Sequence, residues 1–507
     1  MASLASREPE IPPARIISSK AHVLPGQLLA AEIFFQVPLD YSNPSAGSLT
    51  LFARSVTKHE TPIFAPEEPA PPRPFLVYLE GGPGFGNREP QDHPLTRPAL
   101  ARGYQVLFLD HRGVGLSTPV SAEMLARLPG GTGPRAVQVQ AGYLELMRQD
   151  STVRDCEAVR KALTLGWPDH KARWSIFGQS YGGFVALSYL SLHPHGLREV
   201  FLTGGLAPVG RGPDAVYAAT FRRTAERNLA YWAKFPEDAR VLAQVAAHVR
   251  AAGGDRGLPL PAGGFLTVPR LLTMGIRLGY HGGVDHLHGV LLQLKASLDQ
   301  HGFLSRASLA LVEAVIPFDT NPIYALLHEA IYCDGPGVAS NWSAYRVGQS
   351  LDPFRWLRPS SSSSSCSSFS TPSSAPAAAP APAPAPASAP HPLDQNPVFF
   401  SGEMIFPFFF DTWPELIPLK PVAERLAAKS DWPPLYDQDQ LRRNQVPVYA
   451  VSYIDDMFVD YGLARDTTRI IRGIKTFETN AMYHTALQAR SDEVIAQLFN
   501  LRDDTLD

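Results

Sequence analysis

Only 3 of the 507 residues are cysteines: Cys156, Cys333 and Cys366. They stand far apart and form no CxxC pair. That excludes a disulfide scaffold and a cysteine-based structural zinc site, and it fits a reducing compartment. No apolar run approaches the ~18 residues of a transmembrane helix. The opening stretch MASLASREPEIPPARIISSK has no apolar centre, unlike a secretory leader, while its Glu8 and Glu10 count against a transit peptide without excluding a weak one. An excess of charge of either sign is also lacking. The formal net charge is −3, without the basic excess of a nucleic-acid binder. The expectation is a cytoplasmic protein with neither a membrane nor a nucleic acid as partner. Nothing in the sequence sets an oligomeric state.

What is present is material for a large core. Hydrophobic residues make up 45% of the chain and charged residues 18%. Residues 32–41 (EIFFQVPLDY) and 48–57 (SLTLFARSVT) read as two strands around an Asn/Pro/Gly turn. Short apolar runs follow at 75–79 (FLVYL), 104–109 (YQVLFL), 174–177 (WSIF) and 199–202 (EVFL). Each ends in or near a glycine-rich loop, the pattern of buried parallel strands. Helical patterns over 151–165 and 183–193 lie between them. Alternating strand, glycine turn and helix predicts a doubly wound α/β domain.

From about residue 208 to 407 the alternation stops, and 217–252 and 291–316 read as helical. Strands resume at 446–452 and 469–477. The expected organisation is an α/β core from 1–207 and 408–507, with a helical cap at 208–407 inserted between two strands. Such an insertion would cover the C-terminal edge of the sheet, where ligands bind in this class. Within it, 359–392 is a serine run followed by alternating Ala-Pro, which reads as a disordered surface loop.

The chemistry starts at Gly178-Gln179-Ser180-Tyr181-Gly182. It follows a predicted strand and opens a predicted helix, the context of a nucleophile elbow with Ser180 at its apex. Serine needs a base. Of 15 histidines, His484 stands after the last predicted strand, where the base of such a fold belongs. His281, His286 and His288 lie in a glycine-containing loop and read as solvated histidines rather than metal ligands. The orienting acid belongs after the preceding strand, where Asp455 and Asp456 both stand. Tyr181 offers one backbone N–H for an oxyanion hole, and the Gly81–Gly84 loop offers another.

Together, Gly81-Gly82-Pro83-Gly84-Phe85, Asp110-His111-Arg112-Gly113-Val114-Gly115-Leu116-Ser117 and Gly178-Gln179-Ser180-Tyr181-Gly182-Gly183 resemble the proline iminopeptidases. These are α/β-hydrolase serine peptidases that remove an N-terminal proline from peptides. The resemblance runs from about residue 30 to 500, apart from the Ser/Ala-Pro tract. It implies an α/β-hydrolase fold with a helical cap, a peptide substrate with a free N-terminal proline, and no metal or cofactor. In the family the catalytic Asp commonly precedes Met or Val, which favours Asp456, before Met457, over Asp455. The oxyanion glycine corresponds to Gly82. The family often has His before Gly-Gly-Pro-Gly; here the residue is Glu80, so any side-chain role of that His is lost. Cap glutamates hold the substrate's free amino group in the family. Glu329 resembles one such position and Glu403 is a second candidate, with a salt bridge inside the cap as the alternative for each. Phe406, Phe408, Phe409 and Phe410 are candidates for a pyrrolidine pocket, or plain core. The rival readings are an esterase or lipase-like hydrolase acting on an uncharged acyl group, and a silent hydrolase-fold binding protein.

Overall fold

The computed structural model describes residues 10–60, 72–254, 256–315, 318–358 and 398–504. The Ser/Ala-Pro tract and Cys366 lie outside the described residues. Nine strands form one sheet: β1 (Arg15–Leu24), β2 (Leu28–Pro38), β3 (Ser48–Lys58), β4 (Phe75–Leu79), β5 (Gln105–Leu109), β6 (Trp174–Gln179), β7 (Leu197–Thr203), β8 (Val448–Tyr453) and β9 (Ile474–Thr479). Their spatial order is β1-β2-β3-β5-β4-β6-β7-β8-β9. The first three are antiparallel, and β3 meets β5 antiparallel. From β5 through β9 every neighbouring pair is parallel.

The parallel strands sit where the apolar runs predict them. All residues of β4, β6 and β8 are buried, as a sheet covered on both faces requires. Helices α1 (Gln149–Leu163) and α2 (Tyr181–Leu192) flank the sheet on one side. Every residue of α2 is buried, and each of Phe184, Val185, Leu187 and Leu190 contributes about 1.5–3 kcal/mol by leaving water. On the other face the C-terminal helix packs Val494, Ile495, Leu498 and Phe499 against the sheet. The Asp110-His111-Arg112 motif is structural. Arg112 forms a two-pronged ion pair with Asp155 at 2.6 and 2.7 Å, and Asp110 accepts the N–H groups of Asn87 and Leu116.

The sheet order reverses at β4. The chain leaves β4 towards β5 on one side, and β6 lies on the other. Loops leaving adjacent strands at such a switch point diverge and open a crevice. Leu79 of β4 pairs with Gly178 of β6, so the glycine loop after one strand and Ser180 after the other emerge side by side.

Two readings shift. Strand β1 is exposed along most of its length and carries no apolar alternation, so the sequence gives no sign of it. The expected cap boundary at residue 407 falls inside the insertion. The sheet does not resume until Val448, and the Phe409 and Trp413 rings pack against Phe318 of the same insertion, one tilted and one edge-on. The segment predicted as a strand over 469–477 is a turn followed by β9. No described helix is long and apolar enough to cross a membrane.

Candidate active site

Ser180 joins β6 to α2 with φ 52° and ψ −125°. A non-glycine residue at positive φ is strained, and such strain persists only where the surroundings hold it. Here its N–H donates to Thr203 O at 3.1 Å, and its carbonyl accepts from Gly183 N at 2.8 Å. The turn needs glycine at its far side: a Cβ on Gly182 would lie 1.9 Å from the Leu79 carbonyl oxygen.

Three side chains predicted from the sequence meet here. Nε2 of His484 lies 2.9 Å from Ser180 Oγ, and its Nδ1 lies 2.8 Å from Asp456 Oδ2. The carboxylate accepts the Nδ1–H, which leaves Nε2 to accept the serine hydroxyl proton. The other Asp456 oxygen accepts the N–H groups of Phe458 and Val459 at 2.8 and 3.0 Å. Asp456 and His484 are buried, and the Phe458 ring stands edge-on to the imidazole. Asp455 is partly exposed and outside this chain of hydrogen bonds. Burial disfavours the imidazolium. The carboxylates of Asp456 and then Glu403 more than offset that, so the His484 pKa is raised above 6.5.

The glycine loop lies directly against the serine. A Cβ on Gly81 would sit 3.2 Å from Ser180 Cβ. Gly82, at φ 120°, precedes a cis peptide bond to Pro83. Tyr181 is the first residue of α2, so its N–H belongs to the helix turn that lacks intrahelical partners. Glu80 accepts the N–H of Gly81 at 2.8 Å. Burial raises its carboxyl pKa above the usual range.

Ser180 and His484 open into a cavity of about 640 Å³. The core supplies its floor and the insertion its roof, through Ile276, Tyr280, Phe318, Tyr324 and Glu403. Glu403 accepts a hydrogen bond from the Tyr324 hydroxyl, and His328 Nε2 lies 3.5 Å from it. Burial works against its charge. The contacts with His328, the His484 charge and the Tyr324 hydroxyl outweigh it, so its pKa is lowered. An ionised carboxylate therefore faces a largely apolar chamber beside the serine.

Glu329 does not belong to this chamber. It is buried among Ala325, Ser340, Trp342 and Leu426, and its carboxyl accepts the Ala344 N–H at 2.9 Å. It ties two helical turns of the insertion together, so the expectation that it meets substrate is corrected. The phenylalanine run is likewise core: Phe406, Phe409 and Phe410 are buried and pack on Phe408, Trp413 and Trp342. The aromatic walls of the cavity come instead from Phe85, Tyr280, Phe318, Tyr324 and Phe458. Tyr280, Phe318 and Tyr324 are single aromatics in a helical insertion and carry no local signature, whereas Phe85 and Phe458 stand in the core loops that hold Gly82 and Asp456. Sequence reasoning also set aside His281, which lines the cavity.

His286 and His288 lie in the helix Gly283–His301 and not in a loop, and among the described residues the two are not gathered with His281 as metal ligands. Among the described residues, Glu237, Asp238 and His288 bring ligand-type atoms within 4.8 Å. Asp238 there is already engaged by Tyr231 and His288.

Comparison with known proteins agrees with the fold. Residues 74–246 match the family model described as alpha/beta hydrolase fold. The chain is 37% identical to a proline iminopeptidase of Aeromonas sobria over 489 residues, 96% of this chain and 100% of that one. It is 35% identical to the proline iminopeptidase aneH of Aspergillus aculeatus over 500 residues, 99% of both chains. With likeness of this extent on an α/β-hydrolase sheet, the chain belongs to the proline iminopeptidase family.

Proposed function

We propose that the protein is a serine exopeptidase that releases an N-terminal proline, or a similarly small residue, from peptides. Ser180 is the nucleophile, His484 the general base and Asp456 the residue that fixes the imidazole tautomer. As Oγ attacks the prolyl carbonyl, Nε2 takes its proton, and Asp456 stabilises the imidazolium. The N–H groups of Gly82 and Tyr181 receive the oxyanion. Collapse of the tetrahedral intermediate sends the proton from His484 to the leaving amine. Water then attacks the acyl-enzyme by the same route in reverse order.

The observation that carries the exopeptidase reading is Glu403. Its charge is already held by His328 and the Tyr324 hydroxyl in the cavity that Ser180 lines, so a carboxylate stands ready to pair with a cationic group of the substrate. The protonated imino group of an N-terminal proline is such a cation, attached one carbon from the carbonyl under attack. An acetylated or internal proline has no charge to offer. A cytoplasmic location accords with the buried, unpaired thiols of Cys156 and Cys333.

The test is a panel of aminoacyl anilides, free and N-acetylated, with Ser180→Ala as control. Release from prolyl anilide that disappears on acetylation and in the Ala variant is the expected result. Turnover unchanged in Ser180→Ala removes the nucleophile assignment. Equal turnover of the acetylated substrate favours an esterase-like hydrolase.

A further inference from the structure

His484 is carried on a loop, and the insertion grips that loop on both sides of it. The N–H of Tyr483 donates to Nε2 of His281 at 2.9 Å. The N–H of His281 donates to Oγ1 of Thr485 at 3.0 Å. The two residues touched are the immediate neighbours of His484. The Tyr483 ring is held as well: the His281 ring stands edge-on to it with centroids 5.3 Å apart, and the Arg227 guanidinium lies 4.3 Å above it. Arg227 belongs to the helix Pro213–Lys234 of the insertion. These contacts cross between parts of the chain about 200 residues apart in sequence, so they are made only when the insertion is seated on the core.

We propose that His281 is a positioning residue for His484, bracketing residues 483 and 485 so that the imidazole keeps its place between Asp456 and Ser180. Nε2 of His281 acts as an acceptor, so its ring must be neutral with the proton on Nδ1. Its surroundings favour that form: burial, then the charges of Arg490 and Arg227, lower its pKa. A catalytic loop fixed only by its own backbone would let the imidazole drift, and a displacement of about 1 Å can cost a hundredfold in rate. The roof of the cavity thus supplies more than substrate contacts. Seating the insertion also completes the alignment of the base.

This inference rests on the triad reading, and its test does not depend on proline recognition. The inactivation rate of Ser180 by a fluorophosphonate reports the activated serine without any demand for proline recognition, and a small activated ester reports turnover. For His281→Ala we expect both the labelling rate and the ester kcat to fall by about 10- to 100-fold, with KM changed less than about twofold. His281→Gln, whose side-chain oxygen is an acceptor, should recover most of the rate. Thr485→Val removes the second contact with little change of shape and should give a smaller loss in the same parameters. A merely structural histidine would lower thermal stability without splitting kcat from KM and without rescue by Gln. Folded His281→Ala protein that labels at the wild-type rate overturns the proposal. If His281→Ala does not fold, wild-type rates in Thr485→Val together with no gain of folding in His281→Gln overturn it equally. Failure of the wild-type protein to cleave prolyl anilide while it still labels would sink the exopeptidase reading and leave this one standing.

Discussion

Replacing Glu403 by Gln separates recognition from chemistry. The change is close to isosteric. The amide oxygen can still accept from the Tyr324 hydroxyl, so the fold should tolerate it. What disappears is the charge that would meet the prolyl cation. Truncating one partner of a buried, hydrogen-bonded charge pair costs about 2–5 kcal/mol. The Glu403 side chain is 15% exposed, which argues for the lower part of that range. At 1.36 kcal/mol per tenfold, 2–4 kcal/mol is a loss of about 30- to 1000-fold in kcat/KM for prolyl anilide. An uncharged activated ester should lose less than about threefold on the alkaline plateau. One further effect has a fixed sign. Glu403 is among the charges that raise the His484 pKa, so its removal should move the acid limb of ester hydrolysis to lower pH. The assay is a pair of pH profiles, one per substrate, for wild type and variant. Equal losses on both substrates at the plateau would refute the reasoning, since they would place Glu403 with the catalytic machinery and not with the substrate.

Three other outcomes follow from the geometry. Asp456→Asn should lower kcat by about 10⁴, the effect of the wrong imidazole tautomer in a serine triad, whereas Asp455→Asn should stay within about threefold; steady-state kinetics of the two variants decide between the aspartates. His484 must be neutral to accept the Ser180 proton and its pKa is raised above 6.5, so activity on the ester should be lost as pH falls through a midpoint above 6.5, and a midpoint below that value would contradict the assigned environment. Glu329→Ala should cost about 1–3 kcal/mol of stability in denaturant unfolding, because it strands the buried Ala344 N–H, while KM for prolyl anilide changes less than about twofold.

The parts of the site that sequence reveals are those fixed by backbone rules. Ser180, Gly178 and Gly182 form a contiguous pattern because one tight turn demands it. His484 and the pair Asp455-Asp456 are found by their order after β9 and β8, which the fold dictates, and the resemblance, with Asp before Met457, selects Asp456. The glycine loop after β4 is visible for the same reason. Glu403 and Glu329 both sit in apolar surroundings in the sequence, and nothing local distinguishes them. Only packing turns one towards Ser180 and the other towards Ala344. The phenylalanine run misleads for a related reason: Phe406 to Phe410 is dense in aromatics, yet a dense run packs on itself, while the cavity walls come singly from Phe85, Tyr280, Phe318, Tyr324 and Phe458.

That contrast has a physical cause. The nucleophile must be held against strain, and a sheet edge with α2 fully buried beneath it supplies the rigidity. A pocket for one small residue needs only shape and one charge, and helices of an insertion can supply these from many sequences. The two parts are still not independent here. Glu403 and His281 both come from the insertion, and both act on His484, one through charge and the other through the loop that carries it. An insertion that merely covered the site could be displaced without harm to the base. This one cannot, because the hydrogen bonds to Tyr483 and Thr485 and the field at the imidazole would go with it.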